Sequence, residues 1–194
     1  PVGRENIGEQ TNAADAATSI SRVSTVTTVA PVLGATLHVL DAGEPVTAFA
    51  LGVDPRVQGD YELLGGRHPT DPNELVASDA LLARLSARLA DTLDVAVGFD
   101  PQLGTYAGRR RLLIVGRARF LFLSAGDRAA ALQLSTVQAM GGVGRRDRVS
   151  LFMVRTAPGA DVEAAQAAIE RAVPRVTALS IAGAVAEAEN RLSY

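Results

Sequence analysis

The residues of this chain that could carry catalytic chemistry are few, and their spacing does not favour it. Its two histidines are His38, in an apolar stretch, and His68, in a proline-flanked loop. Neither has a second ligand at the one-turn spacing with which a helix holds a metal ion. Ser19, Ser21 and Ser24 have no neighbouring histidine that could act as their base. The sequence therefore predicts neither a metal site nor a serine nucleophile.

Two pairs of acidic residues have the spacing of candidate acid–base catalysts, namely Asp91 with Asp94 and Glu187 with Glu189. General acid–base catalysis needs a carboxyl group whose pKa is shifted by burial or by a neighbouring charge. Both pairs lie at predicted helix ends, where carboxylates are solvated. We interpret them as surface charges.

The remaining candidates are two possible anion sites. The glycine-rich segment 141–146 follows a predicted helix and lacks the Lys-Ser or Lys-Thr ending of a phosphate-binding loop, which favours a simple turn. Arg109, Arg110 and Arg111 lie between a glycine turn and a strand, where they could contact phosphate, a lipid headgroup or an acidic partner. A solvated entrance to the strand is the alternative. No catalytic, cofactor-binding or metal-binding residue is predicted, and the chain is not expected to be an enzyme.

The composition is that of a globular domain and excludes several classes of partner. Of 194 residues, 47% are hydrophobic and 4% aromatic, and Cys and Trp are absent, so disulfides and thiolate chemistry are excluded. A formal net charge of -2 provides no field that would attract nucleic acid. No apolar run reaches the roughly 18–20 residues that span a bilayer, and residues at the start of the sequence lack the basic and apolar regions of a signal peptide. The start at Pro1 suggests an excised fragment or a processed product.

Hydrophobic periodicity and turn signals predict a series of alternating helices and strands. Helices are expected at 11–21 and 184–191, and three more are expected to begin at the caps Ser78, Ser135 and Asp161. The helix after Ser78 has a predicted buried stripe of four leucines, Leu81, Leu82, Leu85 and Leu89. Strands are expected at 25–29, 35–40, 46–53, 75–77, 95–97, 112–115, 118–123, 149–154 and 176–179. The Gly-, Pro- and Asp-rich stretch 54–73 is predicted to be a loop that connects two lobes.

Four segments, taken in order, resemble one protein family. They are 61–69 with its Gly66-Arg67 turn, 73–78 ahead of a leucine-rich helix, 112–116 with its closing Gly116, and 134–140, which begins with Leu134-Ser135-Thr136. Their order and spacing are similar to those of the periplasmic core domain of MacB-like and FtsX-like ABC transporter permeases. The resemblance covers almost the whole chain and is strongest from residue 61 onward.

The resemblance implies an α+β fold arranged as a two-lobed ectodomain. Residues 1–59 and 146–194 would form a porter-like β-α-β lobe from both chain ends, and residues 60–145 an inserted β-rich, Sabre-like lobe. The chain ends would lie close together on the membrane side. The lobes would shift as bodies about joins near 54–72 and 141–146.

The resemblance also implies a function. The chain would be the extracytoplasmic domain, periplasmic or at the cell exterior, of a bacterial permease subunit that transmits ATP-driven conformational change to a substrate or partner protein. Expected partners are an ABC ATPase acting through the rest of the permease, a second permease copy or homologue, and a periplasmic or extracellular accessory protein. The membrane would be reached through flanking helices, and no cofactor is expected. The alternative interpretation is a soluble extracytoplasmic binding or sensor domain for a peptide or lipid.

Overall fold

The computed structural model describes residues 12–41, 43–54, 56–57, 61–121, 123–142 and 147–180 of the chain. The helices in these ranges are α1 (Ala13–Ser21), α2 (Asp79–Leu85), α3 (Leu134–Met140) and α4 (Val162–Ala172). The strands are β1 (Val26–Val39), β2 (Val46–Val53), β3 (Tyr61–Gly66), β4 (Glu74–Ala77), β5 (Thr92–Ala96), β6 (Gly98–Asp100), β7 (Thr105–Ala107), β8 (Arg110–Phe120), β9 (Ala129–Gln133) and β10 (Leu151–Thr156). Among these helices, none combines the length and apolar character needed to cross a membrane. The predicted α+β class is confirmed.

The chain divides into two compact units. The sheet unit contains residues 12–13 and Ala30–Met153, and the terminal unit contains Ala14–Val29 and residues 154–180. The chain therefore passes from one unit to the other within β1 and again within β10. The lobe limits implied by the resemblance, at 59–60 and 145–146, stay a prediction.

Six strands of the sheet unit close into a ring. β1 pairs with β2, β2 with β9, β9 with β4, β4 with β8, β8 with β5, and β5 again with β1. The β2/β9 and β4/β8 pairs are parallel and the other four are antiparallel, so the sheet is mixed. β3 pairs with the last five residues of β8, Gly116–Phe120. β10 pairs with β1, and β6 and β7 form a separate hairpin. Ring closure satisfies strand edges that would otherwise expose unpaired backbone groups.

Two hydrophobic clusters stabilise the sheet unit, one on each face of the strands. The larger cluster takes side chains from all six ring strands and from α2 and α3; its largest fully buried members are Leu33, Leu37, Leu75, Leu81, Leu112, Ile114 and Leu132. The second cluster uses the alternate strand positions, including Val32 and Val76, together with Tyr61 and Phe120. β4 serves both clusters: Leu75 and Ala77 belong to the first and Val76 to the second, while its fourth buried residue is the charged Glu74.

Several of the predicted elements are confirmed. β2 has the predicted bounds and forms an antiparallel hairpin with β1. Ser78 caps α2, where its hydroxyl accepts a hydrogen bond from Leu81 N–H, and Asp161 caps α4 by accepting from Glu163 and Ala164 N–H. Such side chains satisfy backbone donors that have no partner within the helix.

Other predictions were wrong where a distant partner overrode the local signal. The expected loop 54–73 contains β3, and the strands predicted separately at 25–29 and 35–40, and at 112–115 and 118–123, are the continuous β1 and β8. Ser135 lies in the first turn of α3, whose N-cap is Gln133, and α2 ends before Leu89, which is 42% exposed. Residues 176–179 do not form a strand. The predicted helix 184–191 and both chain ends lie outside the described residues.

The connection from β3 to β4 crosses β8, because these two strands pair with opposite edges of it. The crossing passes closest at Gly116, where a Cβ atom would lie 2.6 Å from the carbonyl oxygen of Arg67 and 2.6 Å from Cγ1 of Val76. Gly66, just before the crossing, has a φ of 77°, a left-handed conformation that glycine adopts without strain. The crossing therefore requires glycine at both positions.

We expect Gly116→Ala to lower the free energy of unfolding by about 1–3 kcal/mol, the usual cost of overpacking a close contact. Gly65→Ala is the matched control, because no atom lies within 4 Å of a Cβ at that position of β3. The control is expected to leave the free energy of unfolding unchanged or to raise it by up to about 1 kcal/mol. Denaturant titration of both variants measures the difference, and equal midpoints would contradict the close crossing.

Candidate functional site

Two of the segments that carry the family resemblance meet where the β3–β4 connection crosses β8. Here Arg67, Thr70, Asp71 and Glu74 form what we call the crossing cluster. Arg67 binds the Glu74 carboxylate through both terminal nitrogens, with Nη1 donating to Oε2 at 2.7 Å and Nη2 donating to Oε1. The backbone N–H groups of Thr70 and Asp71 donate to Oε2 at 2.9 and 3.1 Å. This carboxylate therefore holds the whole connection in place.

The crossing cluster stabilises the charged form of Glu74. The hydrogen bond from Arg67, followed by those from the two backbone N–H groups, lowers the pKa of Glu74 to about 2, although burial alone raises it. A carboxylate held in this way neither donates nor accepts protons near neutral pH. Glu74 therefore acts as a structural anion and not as an acid or a base.

Tyr61 and His68 form a second contact at the same connection. The Tyr61 hydroxyl lies 2.8 Å from Nδ1 of His68, and their ring centroids are 5.5 Å apart. Burial raises the pKa of Tyr61 to about 12, so its phenol stays protonated and available for this hydrogen bond. His68 thus has both a ring contact and a hydrogen-bond partner in Tyr61.

The carbonyl group of Pro72 joins the same connection to α3 and to the start of β8. It accepts hydrogen bonds from Thr136 Oγ1 at 3.0 Å and from Arg110 Nη1 at 3.2 Å. Thr136, in the Leu-Ser-Thr segment of α3, is 1% exposed, so this bond satisfies a buried hydroxyl. Arg109 pairs with Asp94. These contacts favour the interpretation that residues 109–111 are the start of β8 over the interpretation that they bind an anion.

An open groove of about 350 Å³ lies where β8 pairs with β3. Its lining is mainly aliphatic and aromatic, with several polar side chains among the full set of Leu64, Ser78, Asp79, Ala118, Arg119, Phe120, Leu121, Leu123, Ser124, Ala125 and Asp127. Arg119 forms an ion pair with Glu62, and Oδ1 of Asp79 lies 3.3 Å from Nε of Arg117. The groove could receive an apolar side chain, but its lining includes no histidine to activate a serine.

Ser78 lines the groove and uses its hydroxyl entirely for the fold. The hydroxyl donates to the carbonyl of Asp127 at 3.0 Å and accepts from the N–H groups of Leu81 at 3.3 Å and Ala129 at 3.0 Å. A serine hydroxyl has one donor and two acceptor positions, so none remains for a substrate. Ser78 therefore ties α2, β9 and the preceding turn together.

The structure keeps the other predicted candidates apart. His38 contacts the rings of Phe99 and Tyr106, with centroids 6.2 and 5.3 Å away. Asp91 accepts a hydrogen bond from the backbone of Arg88, as a turn residue does. Within the described ranges, no group of three histidine or acidic side chains could hold a metal ion. Residues 143–146, Glu187 and Glu189 lie outside those ranges.

Sequence reasoning missed the roles of Glu74 and Gly116. Glu74 and Arg67 are seven residues apart across a connection predicted to be a loop, and neither periodicity nor capping rules relate such positions. The available signal was an acidic residue directly before a short, fully apolar strand, where a charge needs a partner. Gly116 was expected to close the strand 112–115, whereas β8 continues through it.

Comparison with known proteins identifies the domain. The family model for the MacB-like periplasmic core domain matches residues 2–172. The extracellular domain of the noncanonic ABC-type transporter YknZ from Gram-positive bacteria has a similar structure, with a TM-score of 0.62 at 14% identity, covering 84% of this chain and 81% of that one. The periplasmic region of MacB from Actinobacillus actinomycetemcomitans has a TM-score of 0.61 at 16% identity, covering 84% and 73%. The comparison with curated proteins gave no match.

Because the family match spans most of the chain, the chain belongs to the MacB-like periplasmic core domain family. It is an extracytoplasmic domain of the kind found in MacB- and YknZ-like ABC transporter permeases, which confirms the family and the location predicted from the sequence. At 14% and 16% identity, the two solved structures show the shared fold. An ABC transporter permease works with an ATPase, so an ATPase belongs to the same system.

The lowered pKa of Glu74 predicts how stability depends on pH. Its ordinary pKa is 4.5 and its folded value about 2, so the carboxylate contributes its full stabilisation above pH 4.5 and loses it as the pH falls towards 2. We expect the melting temperature of Glu74→Gln to lie below that of the unsubstituted chain at pH 7, with the gap closing between pH 4.5 and 2. Calorimetry across this range measures the gap.

Glu62→Gln is the matched control for this pH series. Glu62 also pairs with an arginine, Arg119, but both side chains are more than half exposed, and exposed pairs contribute little. We expect its melting temperature to follow that of the unsubstituted chain. A constant gap for Glu74→Gln from pH 7 to pH 2 would show that its charge is not held by the crossing cluster.

Removing the Ser78 hydroxyl should destabilise the sheet unit. Ser78→Ala removes a helix cap and leaves the buried N–H of Ala129 without this partner, which we expect to lower the free energy of unfolding by roughly 2–3 kcal/mol. Ser135→Ala is the control: Ser135 is exposed in the first turn of α3, and a change within about 0.5 kcal/mol is expected. Denaturant titration distinguishes the two. Equal losses would contradict the role assigned to Ser78.

Proposed function

We propose that this domain transmits ATP-driven motion of a permease to a substrate or partner protein on the outer side of the membrane and catalyses no reaction itself. Membership of the permease domain family supports the setting. The absence of a catalytic arrangement among the described residues supports a mechanical role, because Glu74, Thr136 and Ser78 all use their polar groups to hold the fold.

One observation carries the proposal. The terminal unit combines a segment from before the sheet unit, Ala14–Val29, with one from after it, residues 154–180, and Ala30–Met153 is inserted between them. Motion that arrives along the chain after α4 would therefore reach the terminal unit first. A closely packed unit responds to displacement as a body and not by gradual deformation, because its interior has little free volume. The two-lobe division and its exact limits are part of this proposal.

The proposal predicts a change in distance between the two units when the ATPase is loaded. The domain contains no cysteine of its own, so within this part of the protein only the introduced cysteines would be labelled. Leu103→Cys in the sheet unit, at a position 73% exposed, and Glu163→Cys in the terminal unit would carry spin labels in the full-length permease. Between the nucleotide-free and ATP-trapped states, we expect their separation to change by more than about 2 Å, the size of a domain rearrangement.

The control pair is Leu103→Cys with Thr47→Cys, because both positions lie in the sheet unit and both are exposed. Its separation is expected to stay constant. Electron–electron double resonance measures both pairs under the same conditions. Constant distances in both pairs would argue against transmission by movement of the units, and a change in both would argue that the sheet unit is not a single body.

A further inference from the structure

After α4, the chain turns back and is held against that helix by two of its side chains. Oε1 of Glu170 accepts a hydrogen bond from the backbone N–H of Ala178 at 2.9 Å. Nε2 of Gln166 donates to the carbonyl oxygen of the same residue, also at 2.9 Å. One residue of the returning segment 176–180 is therefore bound at both of its backbone polar groups.

The positions of the two side chains on α4 explain how they reach one residue. Gln166 and Glu170 are four residues apart, so they lie one turn from each other on the same side of the helix. They flank the buried stripe that contains Ala165 and Ile169. The side chains can therefore bind the segment without leaving the helix surface.

The polarity of the two bonds also gives the direction of the segment. The N–H of Ala178 points to Glu170, nearer the end of α4, and its carbonyl points to Gln166, nearer the start. Since the nitrogen precedes the carbonyl along the chain, the segment runs antiparallel to the helix. The reversal occurs at 173–176, where Pro174 cannot continue the helix and Val176 N–H donates to the carbonyl of Val173 at 3.1 Å.

We propose that Gln166 and Glu170 are positioning residues that form a two-point clamp, through which movement of the chain at 176–180 is passed to α4. The inference rests on the proposed function, since it names the contact by which motion from the following chain enters the terminal unit. A shift of the segment along the helix breaks both bonds together, because both are made to a single residue. The bond to Glu170 is exposed and the bond from Gln166 is half-buried. Single hydrogen bonds of this kind are weak, so the clamp is also reversible.

Donor and acceptor roles make the clamp testable with nearly isosteric changes. Position 170 needs an acceptor, which Glu170→Gln keeps and Glu170→Ala removes. Position 166 needs a donor, which Gln166→Glu removes while preserving size. The clamp therefore predicts that Glu170→Gln is tolerated and that the opposite exchange, Gln166→Glu, is not.

Hydrogen exchange on the 194-residue chain tests whether the clamp exists. Glu170→Ala and Gln166→Glu are expected to raise the exchange rate of the Ala178 amide by about two- to tenfold, the range that corresponds to one lost hydrogen bond. Glu170→Gln is expected to leave it unchanged. Because Glu170 is exposed and the half-buried Gln166 lies outside the buried stripe of α4, the helix's own amides should exchange at the unsubstituted rate. Equal exchange at Ala178 in all four proteins would overturn the clamp.

The Leu103–Glu163 label pair in the full-length permease tests whether the clamp transmits motion. We expect Glu170→Ala and Gln166→Glu to lose the ATP-dependent change in distance and Glu170→Gln to keep it. If all variants move as the unsubstituted protein does, the clamp is overturned while the proposed function stands. If Glu170→Gln fails together with Glu170→Ala, charge and not the hydrogen bond matters, which also overturns it. If the unsubstituted protein does not move, both the clamp and the proposed function are overturned.

Discussion

The sheet unit depends on one crossing, in which the chain passes over β8 between β3 and β4. β3 and β4 pair with opposite edges of β8, so the connection must lie against that strand and bring polar backbone onto it. The absence of a side chain at Gly116 makes the space, and the Glu74 carboxylate satisfies the backbone of the crossing while pairing with Arg67. If this crossing were displaced, β3 and β4 could not keep their registers on β8, and the second hydrophobic cluster would lose its support.

Polar side chains in the described part of the sheet unit are used in the same way, to join its elements. A buried polar atom is costly unless it is hydrogen-bonded, and here the buried hydroxyls of Ser78 and Thr136 are bound to backbone groups of neighbouring elements. A catalytic site needs the opposite, which is a polar group held ready but left without its final partner. A fold that uses its polar side chains to join strands and helices makes a firm body, which is the property that mechanical transmission requires.

The terminal unit differs in how its returning segment is attached. Ala178 is bound to α4 by hydrogen bonds to two side chains of that helix, and residues 176–179 form no strand. The proposed transmission of motion would use a sheet unit closed by strand pairing together with this attachment in the terminal unit. The same fold is found in extracytoplasmic domains of different transporters.

The sequence by itself determined the features that depend on near neighbours: the bounds of β2, the caps Ser78 and Asp161, the α+β class and, through the order of its motifs, the family. These follow from side-chain alternation and from hydrogen bonds between residues two or three positions apart. Only the tertiary structure decided that 61–66 is a strand, that β8 continues through Gly116, that Arg67 pairs with Glu74, and that 176–179 lies against α4 without becoming a strand. In each case the deciding partner is distant in the chain or lies across a turn, and its position is set by the packing of the whole unit.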